Sequence, residues 1–147
     1  MRFEDLPPEP LASAPGFLLS WNGQRIAYKF ATALEPLGLR PPHFGVMTLI
    51  DAHPGSAQKD LVTRSLIDPS SMVAVIDELE AMGLAERRRH PEDRRKHAVY
   101  LTAQGKRTLS RARKAAMEMA EDVFAPLDAG ELETLRRLLR KLARVED

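Results

Sequence analysis

Between Arg87 and Thr102 the chain reads RRRHPEDRRKHAVYLT, six basic and two acidic side chains in one short stretch. Guanidinium and ammonium groups at this density suit the neutralisation of a row of phosphates, because each contact releases counterions condensed on a nucleic acid. The net charge of +1 conceals this. Residues 1–83 carry 6 basic and 10 acidic side chains, residues 84–114 carry 11 and 3, and residues 115–147 carry 5 and 8, so the segments hold −4, +8 and −3. One strongly basic segment between two acidic ones predicts a localised electrostatic footprint. The bland alternative is a solvated turn whose surface ion pairs contribute little. Eleven basic residues in 31 exceed what solubility asks for.

Other chemistries find little support. With no cysteine there is no disulfide, thiolate metal site or thiol redox sensor. The four histidines, His43, His53, His90 and His97, lack zinc-ligand spacing, and no metal or cofactor is expected. His90 and His97 lie in the basic stretch itself. No glycine-rich phosphate loop, serine–histidine pair or paired carboxylates occur at meaningful spacing, so an enzyme is the weakest reading. No apolar run approaches 18 residues, and the first residues lack the basic start and apolar core of a signal peptide. A cytoplasmic protein is expected, with a proline-rich flexible arm over residues 1–16.

The elements that must position the basic run are mostly helical. Residues 17–35 place Phe17, Trp21, Ile26, Phe30 and Leu34 at loosely helical spacing, before Pro36 and Gly38. Pro41-Pro42 opens a helix that breaks at His53-Pro54-Gly55. Ser56 is expected to cap a short helix carrying Leu61 and Val62, and a turn follows near 65–67. Asp68-Pro69 combines an N-cap with proline at the first helical position, and Gly83 ends the helix that carries Met72, Val75, Ile76 and Leu79 on one face. Residues 84–89 read as a strand, 90–93 as a turn and 96–101 as a returning strand, with Val99 and Leu101 on one side and Ala98 and Tyr100 on the other. Thr102 can cap a long helix with a narrow stripe of Leu109, Ala112, Ala116, Ala120 and Val123. Asp128 and Glu131 resemble a capping box for a last helix with Leu132, Leu135, Leu138, Leu139 and Leu142 inward. A short helix, a turn and a second helix make a helix-turn-helix, and a basic hairpin directly after it is a wing. The fold class is thus mainly α with a small β-hairpin wing.

DPSSMVAVIDELEAMGL followed by ERRRHPEDRRKHAVYLTAQG resembles the MarR family of winged helix-turn-helix regulators. The family's wing pattern, Asp-x-Arg, five residues, Leu-Thr, is met by Asp93, Arg95, Leu101 and Thr102, with Gly105 downstream. The resemblance covers about residues 17–145. It implies a homodimer, with residues 17–40 as an N-terminal dimerisation helix, 41–101 as the DNA-binding lobe and 102–147 as C-terminal dimerisation helices. The narrow stripe of the long helix agrees with a need for partner surface, although such stripes can also pack within one chain.

For the wing, Arg87, Arg88, Arg89, Arg94, Arg95 and Lys96 supply phosphate-binding density, and alternation lets about half face a duplex at once. The resemblance makes Arg95 the residue that enters a minor groove, where narrow A·T-rich geometry attracts arginine. Asp93 is expected to orient it through a carboxylate–guanidinium pair. The recognition helix departs from the family, with Val73 and Ala74 where Thr and Arg are common, and Glu78 where a basic residue is common. Ser70, Ser71, Val73 and Ala74 remain on its exposed N-terminal part, joined by Gln58, Lys59, Thr63 and Arg64 nearby; direct readout should therefore be modest. Two-fold symmetry predicts a pseudo-palindromic operator with half-site centres about 10 bp apart or a multiple. The family's response to small, often aromatic anions singles out Trp21, Arg25, Tyr28, His43 and Met47, although the plainer reading, with Trp21 and Met47 as ordinary core and Arg25 as an exposed helix residue, is the stronger. These expectations describe a DNA-binding regulator, most readily a repressor released by a ligand. The rival is an architectural or protein-interaction module with little sequence preference.

Overall fold

The computed structural model describes residues 7–93 and 95–145; Arg94, a predicted wing contact, lies outside the described residues, as do residues 1–6 of the expected arm. After a 3-10 turn at Leu11–Ser13 come α1 (Pro15–Leu34), a second 3-10 turn (Glu35–Leu37), α2 (Pro41–Ala52), β1 (Ser56–Ala57), α3 (Gln58–Thr63) and α4 (Pro69–Ala81). The hairpin β2 (Ala85–Arg89) and β3 (His97–Leu101) follows, then α5 (Ala103–Phe124) and α6 (Ala129–Leu142).

Local chemistry accounts for most boundaries. Pro15, Pro41 and Pro69 each stand in the first turn of a helix, where a missing N–H costs nothing. Asp68 caps α4 by accepting the Ser71 N–H at 2.9 Å, and Asp128 and Glu131 form a reciprocal capping box on α6. Gly83, at φ +72°, ends α4 in the left-handed region, and the Leu84 N–H returns to the Leu79 carbonyl at 2.9 Å.

The sheet differs from the expected two-stranded hairpin. It has three antiparallel strands in the order β1-β3-β2, with Ser56 opposite Val99 and Arg87 opposite Val99 on the other side. Ser56 is therefore a strand residue and not a helix cap: α3 has no side-chain cap, and the Ser56 hydroxyl donates to the His53 carbonyl at 2.7 Å. Ala98 and Val99 are both fully buried, so β3 is covered on both faces at its centre.

The core joins Leu34, Val46, Met47, Ile50, Leu61, Met72, Ile76, Leu79, Val99 and Leu109. It lies between α2, α4, the sheet and the N-terminal half of α5. The Thr102 hydroxyl locks that junction, accepting from the Gly105 N–H at 2.9 Å and donating to the Gly83 carbonyl at 2.7 Å. A Cβ on Gly105 would stand 1.9 Å from the Leu84 carbonyl oxygen, so only glycine allows this approach. The Leu-Thr and glycine of the wing motif are therefore its structural half.

The last helix does not behave as expected within one chain. Its leucines recur at helical spacing, yet α6 buries none of them and touches the rest of the chain little. Leu138 is 45% and Leu142 71% exposed. With Leu127, Leu135 and Leu138, the α5–α6 corner forms an open, mainly apolar cleft of about 710 Å³.

Candidate nucleic-acid interface

The wing's basic side chains fall into two groups. Arg87 turns inward, toward α4. Its Nη1 contacts Asp77 at 2.7 Å and also bonds Glu80, while its Nε and Nη2 hold the Gln58 Oε1 at 3.4 and 3.1 Å. Arg88 pairs with Glu86 and lies 4.6 Å above the Tyr100 ring, a cation–π contact that ties it to β3. Arg89, Arg95 and Lys96 are exposed, and their side chains hydrogen-bond to no other described residue. Sequence alternation alone did not separate these roles, because which side chains meet acidic partners depends on where α4 lies.

The tip of the hairpin is shaped by side-chain-to-backbone bonds. The His90 N–H reaches the Lys96 carbonyl at 2.9 Å, and His90 Nδ1 accepts the Glu92 N–H at 3.2 Å. Asp93 accepts the backbone N–H of Arg95 at 3.0 Å. The expected Asp93–Arg95 carboxylate–guanidinium pair does not form among the described residues: the carboxylate lies two residues before Arg95, within reach of its amide, and folds the turn. The Arg95 guanidinium is left to solvent.

In the helix-turn-helix, Ser70, Ser71, Val73 and Ala74 are all exposed at the start of α4, as expected. Both serine hydroxyls donate to Asp68, Ser70 to Oδ1 and Ser71 to Oδ2, each at 2.7 Å. The Ser71 hydroxyl, the Ser71 N–H and then the Ser70 hydroxyl hold the Asp68 carboxyl far below its ordinary range. An ionised carboxylate only accepts, so both serine protons are spent and both oxygens remain as acceptors. On α3, Lys59 and Thr63 are exposed, and the Thr63 hydroxyl donates to the Lys59 carbonyl at 3.1 Å. Arg64 is exposed with its Nη1 3.4 Å from His53 Nε2.

Glu78, which looked out of place on a recognition helix, has partners at the N-terminal end of α2, the N-cap Arg40 and His43. Its Oε2 meets Arg40 Nη2 at 2.6 Å and His43 Nε2 at 2.5 Å, and the His43 contact, then Arg40, lower its pKa. His43 Nδ1 accepts the Arg40 N–H at 2.9 Å, which leaves its proton on Nε2 facing Glu78. His43 is thus buried with both ring nitrogens engaged, and it clamps α2 to α4 rather than opening toward a ligand. Its place three residues past the N-cap, where a capping-box acceptor belongs, was the available signal. Of the other candidate ligand residues, Met47 is fully buried core and Trp21 is buried against Phe17, their ring centroids 5.9 Å apart. Arg25 is half-buried and Tyr28 largely exposed on α1. These five residues divide between a core and a surface. Among the described residues no His, Cys, Asp and Glu group could hold a metal ion, and no helix is long and apolar enough to cross a membrane.

The MarR family model matches residues 37–96, from the approach to α2 to the wing. A Thauera aromatica protein named for transcriptional regulation of the hcr operon is 35% identical over 136 residues, 91% of this chain and 81% of its own length. The chain belongs to the MarR family. Among solved structures, the transcriptional repressor CouR bound to a 23-mer DNA duplex aligns with a TM-score of 0.84 and 34% identity, over 95% of this chain and 99% of that one. CouR from Rhodococcus jostii RHA1 bound to p-coumaroyl-CoA gives 0.80 and 28%, with the same coverage. The wing carries Asp93, Arg95, Leu101 and Thr102 of the sequence motif, while Asp77 and Glu78 of α4 pair with Arg87 and Arg40 inside the lobe.

Proposed function

We propose that this chain is a dimeric, sequence-specific regulator of transcription that binds double-stranded DNA, represses by occupying its operator, and is released by a small molecule that carries an aromatic group. The observation that carries the reading is the division of the wing: Arg89, Arg95 and Lys96 reach solvent without side-chain hydrogen bonds to any other described residue, beside an exposed α4 N-terminus. In this reading Arg95 enters the minor groove, with Arg89, Arg94 and Lys96 on phosphates. Ser70 and Ser71, as acceptors, face the amino groups of adenine or cytosine, the donors on the major-groove edges. Val73 and Ala74 meet thymine methyls, while Lys59, Thr63 and Arg64 meet the backbone. The protein works in the cytoplasm and catalyses no reaction.

Dimerisation rests on residues 15–34 and 103–142, and the uncovered leucines of α6 support it. Similarity to a repressor solved with p-coumaroyl-CoA makes an aromatic acyl-CoA thioester the effector class, with Trp21, Arg25 and Tyr28 as the contacts on α1. Such a ligand acts by favouring a dimer geometry whose lobes miss the half-site spacing.

A second reading has one observation in its favour: the exposed start of α4 carries no basic side chain, which suits a DNA-binding protein with little sequence preference. Competition binding separates the two. A duplex selected by the protein from a random library should contain an inverted repeat and outcompete scrambled DNA by ~10³ or more at physiological salt. Parity would leave the architectural reading. Titration with p-coumaroyl-CoA should then release the selected duplex, and free p-coumarate should not; release by neither would remove the acyl-CoA proposal.

A further inference from the structure

We infer that Arg87, although it lies in the basic wing, never touches DNA. It is a positioning residue that fixes the Gln58 carboxamide as an uncharged donor to a phosphate oxygen. The inference rests on the DNA-binding reading above and removes Arg87 from the phosphate contacts that the sequence suggested.

A guanidinium has five N–H groups. In Arg87 each has an acceptor nearby: Nε–H and one Nη2–H point to Gln58 Oε1, the other Nη2–H to the Val73 carbonyl at 3.5 Å, and the Nη1 hydrogens to Asp77 and Glu80. The side chain is only 17% exposed, whereas Asp77 is 60% exposed. Two carboxylates and two carbonyl oxygens therefore fill the fork. To reach a phosphate, Arg87 would have to abandon both carboxylates beside the polyanion, where they would be least welcome.

The same fork spans three elements. It springs from β2, grips α4 through Asp77, Glu80 and the Val73 carbonyl, and reaches the first residue of α3. Its consequence for Gln58 is one of hydrogen-bond polarity. With Oε1 occupied twice by Arg87, the carboxamide –NH₂ faces away with two donors to offer. The first helix of a helix-turn-helix crosses the sugar–phosphate backbone, and a phosphate oxygen is an acceptor only. Lysine could not replace Arg87 here, because a point charge cannot hold Gln58, Asp77 and Glu80 in one plane.

Salt dependence gives the decisive readout, since a neutral amide displaces no counterion while a cation does. Affinity for the duplex selected by the wild-type protein would be measured by fluorescence anisotropy across a KCl series. Arg87→Met should weaken binding about tenfold at every salt concentration, with the slope of log K against log[KCl] unchanged. Gln58→Ala should do the same, and the double variant should be no weaker than either single one. Arg87→Lys should behave like Arg87→Met. A slope shallower by about 0.9 per half-site in Arg87→Met, restored by lysine, would make Arg87 a phosphate contact and overturn the inference alone. Should Arg87→Met lose its folded circular-dichroism spectrum, Gln58→Ala decides, and unchanged affinity in that surface variant overturns the inference. A wild-type protein that selects no duplex would overturn the inference together with the DNA-binding reading.

Discussion

In the proposed complex with DNA, Arg95 is the side chain on which groove binding turns. Its amide is tied to Asp93 and its guanidinium is left to solvent, so the backbone is fixed while the charge remains available. Replacement with alanine should weaken operator binding and make the salt slope shallower by about 0.9 per half-site, as anisotropy in KCl would show. Unchanged affinity would remove the wing from the interface. Gly105 carries a different demand. A methyl group there meets the Leu84 carbonyl oxygen at 1.9 Å, with backbone on both sides and no flexible side chain to yield. Gly105→Ala should cost about 1–3 kcal/mol in urea denaturation, with DNA affinity falling as the wing shifts against α5. A stability loss below the error of the melt would show that the junction relaxes freely.

At the level of elements, α4 is held by groups that titrate in acid. The Ser71 and Ser70 bonds lower the pKa of Asp68 from an ordinary 3.8, and the His43 and Arg40 bonds lower that of Glu78 from an ordinary 4.5. A carboxylate whose folded pKa is depressed contributes stability that is fully present above its unfolded value and is lost as pH falls through the folded one. The thermal midpoint should therefore not depend on these two groups near neutrality and should decline below about pH 4.5. Asp68→Asn keeps an N-cap of similar strength but removes one titration, so its acid limb should be shallower. Parallel acid limbs in differential scanning calorimetry would mean that the α4 clamps do not survive in solution. The same clamps explain the acidity of α4: Asp77, Glu78 and Glu80 answer to Arg87, Arg40 and His43.

For the whole molecule, the last helix is the unresolved surface of a single chain. An amphipathic helix with uncovered leucines requires another face, and in the proposed dimer a second copy supplies one by symmetry. Leu138→Glu places a charge in the α5–α6 cleft, where Leu138 is one of the lining residues. That variant should sediment as a folded monomer and lose high-affinity operator binding, since one lobe engages only one half-site. A variant that remains dimeric would move the interface away from α6.

Much of this architecture is written in local signals. Pro41, Asp68-Pro69, Gly83, Thr102 and the Asp128–Glu131 pair mark helix ends through bonds to their immediate neighbours, and those signals carried through to the fold. The Asp-x-Arg and Leu-Thr spacing likewise placed the wing. Contacts between distant residues were not legible. Ser56 joined a strand because β3 offered it a free edge 43 positions along the chain, at Val99. Arg87 looked like its basic neighbours until the fold brought Gln58, Asp77 and Glu80 around it, and His43 looked available until Glu78 arrived from α4. By itself the sequence determined which segments are helical, where they stop and that one hairpin is basic, because those depend on nearest neighbours and side-chain charge. Only the tertiary structure decided which charges are spent inside the lobe and which remain exposed, because pairing depends on what chain topology places within hydrogen-bond reach.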